Sequence, residues 1–198
     1  KAGLPQSTGV SEKIGDQQAD CMLGWNNSFR YKNFALSFQI DGRLGGDIYS
    51  YTNYALQIAG RAECTAPGGM RENFVVDGVI AQQDGTYAPS TIKVSQQDYW
   101  QAIGTGNTGI GEANIYDATN IRLRNIALNY SFPSSMLKKT IFQQLKLGFS
   151  VNNVWMIYSD MNGIDPEAVF ITNTNATGFE NCASPTSRSY LFNVTLGF

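Results

Sequence analysis

Five stretches of this chain alternate apolar and polar residues with a period of two, each for about ten residues, which is the length a tilted strand needs to cross a bilayer. In "DCMLGWNNSFRY", Leu23, Trp25, Phe29 and Tyr31 share one parity, and Gly24, Asn26, Ser28 and Arg30 share the other. "FALSFQIDGR" sets Phe34, Leu36, Phe38 and Ile40 against Ser37, Gln39, Asp41 and Arg43. Only Lys32 and Asn33 separate these two stretches, so they read as a tight hairpin. "ATNIRLRNIALNYSF" changes parity near Arg124-Asn125, which implies a bulge, and Pro133 ends it. "QLKLGFSVNNVWMIY" alternates from Leu145 to Val151 and blurs from Val154 onward. "RSYLFNVTLGF" puts Tyr190, Phe192, Val194, Leu196 and Phe198 on one face. The expected strands lie near 20–31, 34–43, 118–132, 144–158 and 187–198.

The connections between these strands alternate between short and long. A two-residue turn is followed by the long segment 44–117, then the short "PSSMLKKTIFQ", then the long segment 159–186. Membrane barrels show this alternation, with short turns inside and long loops outside. Within the first long segment, "SQQDYWQAIG" suggests a short helix capped by Ser95, and "RENFVVDGVIAQQDGTY" a short hairpin. If the last strand runs inward, both long segments are extracellular and all three cysteines fall on that disulfide-permissive side. Cys64–Cys182 is then the expected pair, with a pair involving Cys21 next. From spacing alone, one disulfide plus a free thiol or three free thiols fit equally.

Composition narrows the function classes. Charged residues make up 15% of the chain, against roughly 25% in soluble globular proteins. A net charge of −2 argues against nucleic acid. The absence of histidine removes Ser-His-Asp and Cys-His catalysis and His-ligated zinc. The N-terminal "KAGLPQSTGVSEKIGD" reads as a loop and shows no secretory signal. No apolar run is long enough for a transmembrane helix, which leaves a β-barrel open.

The short motifs are weak. "GTGNTG" (104–109) matches G-x-G-x-x-G but lacks a strand before it and a helix after it, so a loop is expected rather than a nucleotide site. Asp160, Asn162, Asp165 and Glu167 form an oxygen cluster without EF-hand spacing, and read as a turn rather than a calcium site. "GGDIYSYTNYAL" and "DYW" offer aromatics beside amides, which suits sugar contact or plain loop packing. Two architectures stay open from residues alone. One is a membrane barrel with a hydrated interior. The other is a soluble or surface β-sandwich that binds carbohydrate.

At the level of longer motifs, "DCMLGWNNSFRYKNFALSFQIDGRLGGDIYS", "YDATNIRLRNIALNYSFP", "GIDPE" and "SPTSRSYLFNVTLGF" resemble the late barrel strands of SusC/RagA-type TonB-dependent outer-membrane transporters. Ala19-Asp20 departs from the Pro-Asp usual at that point of the family. The resemblance implies an all-β fold: antiparallel strands forming the C-terminal segment of a large transmembrane barrel of about 22 strands. The plug domain and the earlier strands would lie outside these residues. The resemblance also implies a SusD-like surface lipoprotein as partner, energy from TonB, import of oligosaccharides or peptides across a Gram-negative outer membrane, and no cofactor, metal or catalytic residue. Tyr49, Tyr51, Tyr54, Tyr99 and Trp100 are then candidate ligand or partner contacts. Arg30, Asp41 and Arg43 would face the lumen, and the row from Tyr190 to Phe198 would be the assembly signal. A barrel unrelated to TonB, such as a porin or adhesin, is the remaining reading.

Overall fold

A computed structural model describes residues 3–104, 109–161, 163–172 and 174–198. Residues 105–108 of "GTGNTG" and Asn162 of the oxygen cluster lie outside the described residues. In chain order the elements begin with β1 (Cys21–Tyr31), β2 (Phe34–Leu44), β3 (Asp47–Ser50) and α1 (Tyr51–Ile58). Next come β4 (Phe74–Val75), β5 (Val79–Ala81), β6 (Tyr87–Pro89), β7 (Lys93–Val94) and α2 (Gln96–Ile103). The rest are β8 (Ile115–Asp117), β9 (Asn120–Ser131), α3 (Ser134–Leu137), β10 (Gln144–Ser159), β11 (Phe179–Glu180) and β12 (Ser189–Gly197). They divide into two compact units, one of Lys1–Asp16, Ile48–Tyr116 and Val169–Ala183, the other of Gln17–Asp47, Asp117–Ala168 and Ser184–Phe198.

The second unit is built on one antiparallel sheet in the order β1-β2-β9-β10-β12. Lys32 turns the β1–β2 hairpin with a φ of 51°, the left-handed conformation a two-residue loop requires. The parity change in β9 is a bulge: β2 pairs Gln39 with Asn125 and Ile40 with Leu123, leaving Arg124 as the extra residue. The blurred stretch of β10 has the same cause twice over, with register shifts between Asn152 and Trp155 and between Met156 and Tyr158. Asn153, at a φ of 51°, sits in the first of them. Gly45 and Gly46, with φ of 72° and 86°, swing the chain out of β2.

Register aligns the side chains into rows. Phe29, Leu36, Leu128, Phe149 and Phe192 pair in sequence across all five strands, and Tyr31, Phe34, Tyr130, Leu147 and Val194 do the same one step along. Aromatic contacts stitch the rows, with Phe34 on Tyr130 at 4.6 Å and Phe149 on Phe192 at 4.8 Å. This face stays bare. Leu23, Trp25 and Phe29 are each more than half exposed, and Phe192 is 81% exposed. The buried apolar residues are instead small or few, including Ala118, Leu137, Met161 and Ala168 in this unit. A sandwich buries such a face under a second sheet; here the largest apolar side chains of the sheet remain outside.

The first unit draws on both long connections. It holds a three-stranded sheet in the order β11-β3-β8, the hairpin β5–β6, the pair β4–β7, and α1 packed against α2. The β3–β11 pair is parallel, so the fold is not purely antiparallel. "SQQDYWQAI" is the helix that Ser95 announces, its Oγ accepting from the Asp98 amide at 3.1 Å. The expected hairpin is β5–β6.

Candidate functional site

The polar face of the large sheet is one candidate surface. Asn26, Gln39, Asn125, Asn152 and Ser189 are paired in succession across the five strands, so one row of amides and a hydroxyl crosses the whole face. Asn125 donates to Asn152 Oδ1 at 2.5 Å, and Asn152 donates to Ser189 Oγ at 3.1 Å. A shallow cavity of about 260 Å³ opens on this row beside Asn26, Ser28, Ser37 and Gln39.

Charges gather next to that row. Register places Asp41 opposite Arg122, but the β9 bulge brings Arg124 to it, with Nε donating to Asp41 Oδ2 at 2.7 Å. Arg122 pairs instead with Asp165 at 2.5 Å and with Glu167 at 3.4 Å. Arg124 completes the net by a bidentate pair with Glu167. Arg122 is buried, 3% exposed, and its Nε has no partner among the described residues. Burial alone would raise the Asp165 carboxyl; hydrogen bonds from Thr186 and Arg122 outweigh it and hold the group at about 2. Asp165 and Glu167 thus form a turn, with Asp165 accepting from the Glu167 amide at 3.0 Å, but a turn fastened to the sheet by two arginines. Arg122 and Arg124 are the residues that sequence reasoning passed over; two arginines on the polar parity of one strand, together with the acids of "GIDPE", were the available signal.

Of the three charged residues expected to face a lumen, Asp41 is in this net, Arg43 donates to the carbonyls of Gly45 (3.3 Å) and Gln17 (2.8 Å), and Arg30 is exposed near the hairpin end of β1. All three lie on the polar parity of their strands. Tyr190, Phe192, Val194 and Leu196 lie on the bare face of β12, and the Phe198 ring stands 5.4 Å from that of Phe142.

The second candidate surface is the helix pair of the other unit. "GGDIYSYTNYAL", expected as a loop, is β3 running into α1. Ser50 caps the helix by accepting from the Asn53 amide at 3.2 Å. Buried Glu180, from the other long connection, accepts from Ser50 Oγ at 2.9 Å and from the Thr52 amide at 3.1 Å, placing a carboxylate at the positive end of α1. Tyr51, Tyr54, Ala55 and Ile58 fall at helical spacing, a signal masked by the Gly, Asn and Tyr content. Tyr49 is on β3, the tilted rings of Tyr51 and Tyr54 meet at 5.1 Å on α1, and Tyr99 and Trp100 meet at 5.1 Å on α2. Tyr54 donates to the Gly104 carbonyl at 2.7 Å, joining the two helices. A cavity of about 490 Å³ lies against Tyr99, Trp100, Phe74, Glu72 and Cys64. Burial raises the hydroxyl of Tyr99 and that of Tyr49 above the usual range.

The Cys64–Cys182 disulfide is not formed: Cys21, Cys64 and Cys182 are all free and exposed. Cys182 is tied by its amide to Thr52 Oγ1 at the start of α1, whereas Cys64 follows the end of that helix. Eight residues of helix span about 12 Å, and bridged Cα atoms lie within about 7 Å.

No family model matches the chain. In sequence it is 27% identical over 197 residues to TonB-dependent receptor P3 of Formosa agariphila, covering 97% of this chain and 18% of that protein. TonB-dependent receptor P39 of the same organism is 29% identical over 187 residues, covering 93% of this chain and 17% of the relative. The chain therefore spans less than a fifth of the length of these curated relatives. In fold it matches the RagAB peptide importer in the closed-closed state, with a TM-score of 0.61 and 14% identity, over 96% of this chain and 18% of that one. The open-open state gives a TM-score of 0.59 and 16% identity, over 89% and 17%. By sequence and by fold together, the chain resembles a segment of a SusC/RagA-type TonB-dependent receptor.

Proposed function

We propose that this chain forms part of the wall and outer loops of a TonB-dependent importer in the outer membrane. The observation that carries the reading is the two-faced sheet: five long antiparallel strands with a bare aromatic and aliphatic face on one side and a continuous row of amides on the other. Lipid is the solvent that suits the first face, and a hydrated passage suits the second. Among the described residues, β1 and β12 each leave one edge unpaired in this sheet, which further strands of a larger barrel would cover. In this reading Arg30, Asp41 and Arg43 face the lumen, the first unit lies outside the cell, and the apolar row of β12 serves in assembly. Tyr49, Tyr51, Tyr54, Tyr99 and Trp100 are offered to cargo or to a SusD-like lipoprotein. The cargo is an oligosaccharide or a peptide, and TonB acts through parts of the protein beyond this chain.

The test is fractionation of cells making the protein that carries this chain, followed by extraction. Recovery in the outer membrane and loss of folded protein when detergent is withdrawn are expected. A monomer that stays folded in plain buffer sinks the proposal.

A further inference from the structure

Trp100 and Gln96 each line two cavities, the one of about 490 Å³ already described and a smaller one of about 250 Å³. The smaller cavity has buried Gln57, Thr65 and Gln96 in its wall, and exposed Arg71, Gln97 and Gln101 beside them. Its volume is below the roughly 300 Å³ at which pockets for drug-sized ligands begin, which leaves room for one ring rather than a chain.

We propose that this cavity is a carbohydrate subsite that takes a single pyranose ring of a neutral oligosaccharide, packed against Trp100 and hydrogen-bonded by the surrounding glutamines. This rests on the importer reading and commits it to a glycan. Three observations carry it. Gln57 is 7% exposed, lines the cavity, and has an Oε1 without a hydrogen-bond partner among the described residues. A buried acceptor of this kind needs a donor, and a sugar hydroxyl supplies one. The Trp100 indole N–H is already given to Gln96 Oε1 at 3.1 Å, so the ring surface is what Trp100 offers, and C–H-rich sugar faces pack on such rings. Arg71 spends one nitrogen on the Gly60 carbonyl at 2.6 Å and keeps further donors. No carboxylate is among the described lining residues, so a basic peptide side chain finds no counter-charge there.

The experiment uses the complete receptor purified in detergent, titrated by calorimetry with maltotriose, cellotriose, mannotriose and galactotriose, and with trialanine as the peptide probe. At least one trisaccharide is expected to bind saturably and trialanine not to. Trp100→Ala is expected to weaken that sugar about tenfold or more. Gln57→Leu keeps the volume and removes the orphan acceptor, so it is expected to weaken the sugar about fivefold while the protein stays folded. Absence of binding by all four sugars, unchanged sugar affinity in a folded Gln57→Leu variant, or trialanine binding that Trp100→Ala abolishes overturns the proposal. Outer-membrane fractionation of the same preparation tests the importer reading separately, so a receptor that fractionates with the membrane but binds no sugar defeats only the subsite.

Discussion

Arg122 shows what one buried charge demands of its neighbours. Its side chain is 4% exposed and leans on Asp165 and Glu167. Arg122→Met leaves Asp165 without its guanidinium, so a loss of about 3 kcal/mol is expected in denaturant melts of the detergent-solubilised protein. Adding Asp165→Asn to that variant is expected to recover part of it, because the stranded charge goes too. The same carboxylate sets a pH dependence. Its folded value of about 2 lies below the ordinary 3.8, so its contribution is complete above about pH 4 and is lost as pH falls through about 2. Screening keeps the effect on the order of 1 kcal/mol, visible as an acid limb in melting temperature that Asp165→Asn removes. The thiols give a further check. Without a reductant, all three cysteines are expected to alkylate, with Cys64 slowest because partial burial raises its thiol above the usual value. Two modified thiols missing from the mass spectrum would mean a disulfide.

At the scale of elements, β12 separates its two faces within adjacent residues. Phe192 belongs to the bare row and Asn193 to the polar one, opposite Gly148. In the membrane reading, Phe192→Arg is expected to cost about 2–4 kcal/mol and lower the folded yield in the outer membrane, whereas Asn193→Arg is tolerated. Equal loss from both substitutions would count against lipid on one side only. The helices behave differently. A Cβ at Gly104 would strike the Ile58 side chain, so Gly104→Ala is expected to loosen α1 from α2 and shift near-ultraviolet signals of Tyr54 and Trp100, leaving the large sheet intact. Sequence reasoning found α2 and missed α1, although both have a serine cap. α2 carries Asp98 in its first turn. α1 has no acidic residue there; its anion is Glu180, which arrives from far along the chain.

At the scale of the whole chain, the strands announce themselves because alternation is local. A face that is wholly apolar must repeat every second residue, and the parity change at Arg124 and the blur after Val154 mark bulges for the same reason. The fold class and the resemblance to TonB-dependent receptors were therefore legible before any coordinates. The long connections were not. They supply one compact unit with its own sheet, in which β11 joins β3 across a wide gap in sequence, and no local periodicity encodes a parallel pair of two residues.

What the sequence determined by itself is the two-faced sheet, its register breaks, and the chemistry that a chain without histidine forgoes. The tertiary structure decided which charges meet and which aromatics share a cavity. It set Arg124 on Asp41 and Arg122 on Asp165, buried Glu180 at the start of α1, left the three thiols free, and put Trp100 in the wall of two cavities. The reason is the range of the forces concerned. Strand patterning follows from the pleat of each strand, whereas ion pairs and cavities depend on side chains brought together from distant positions by packing.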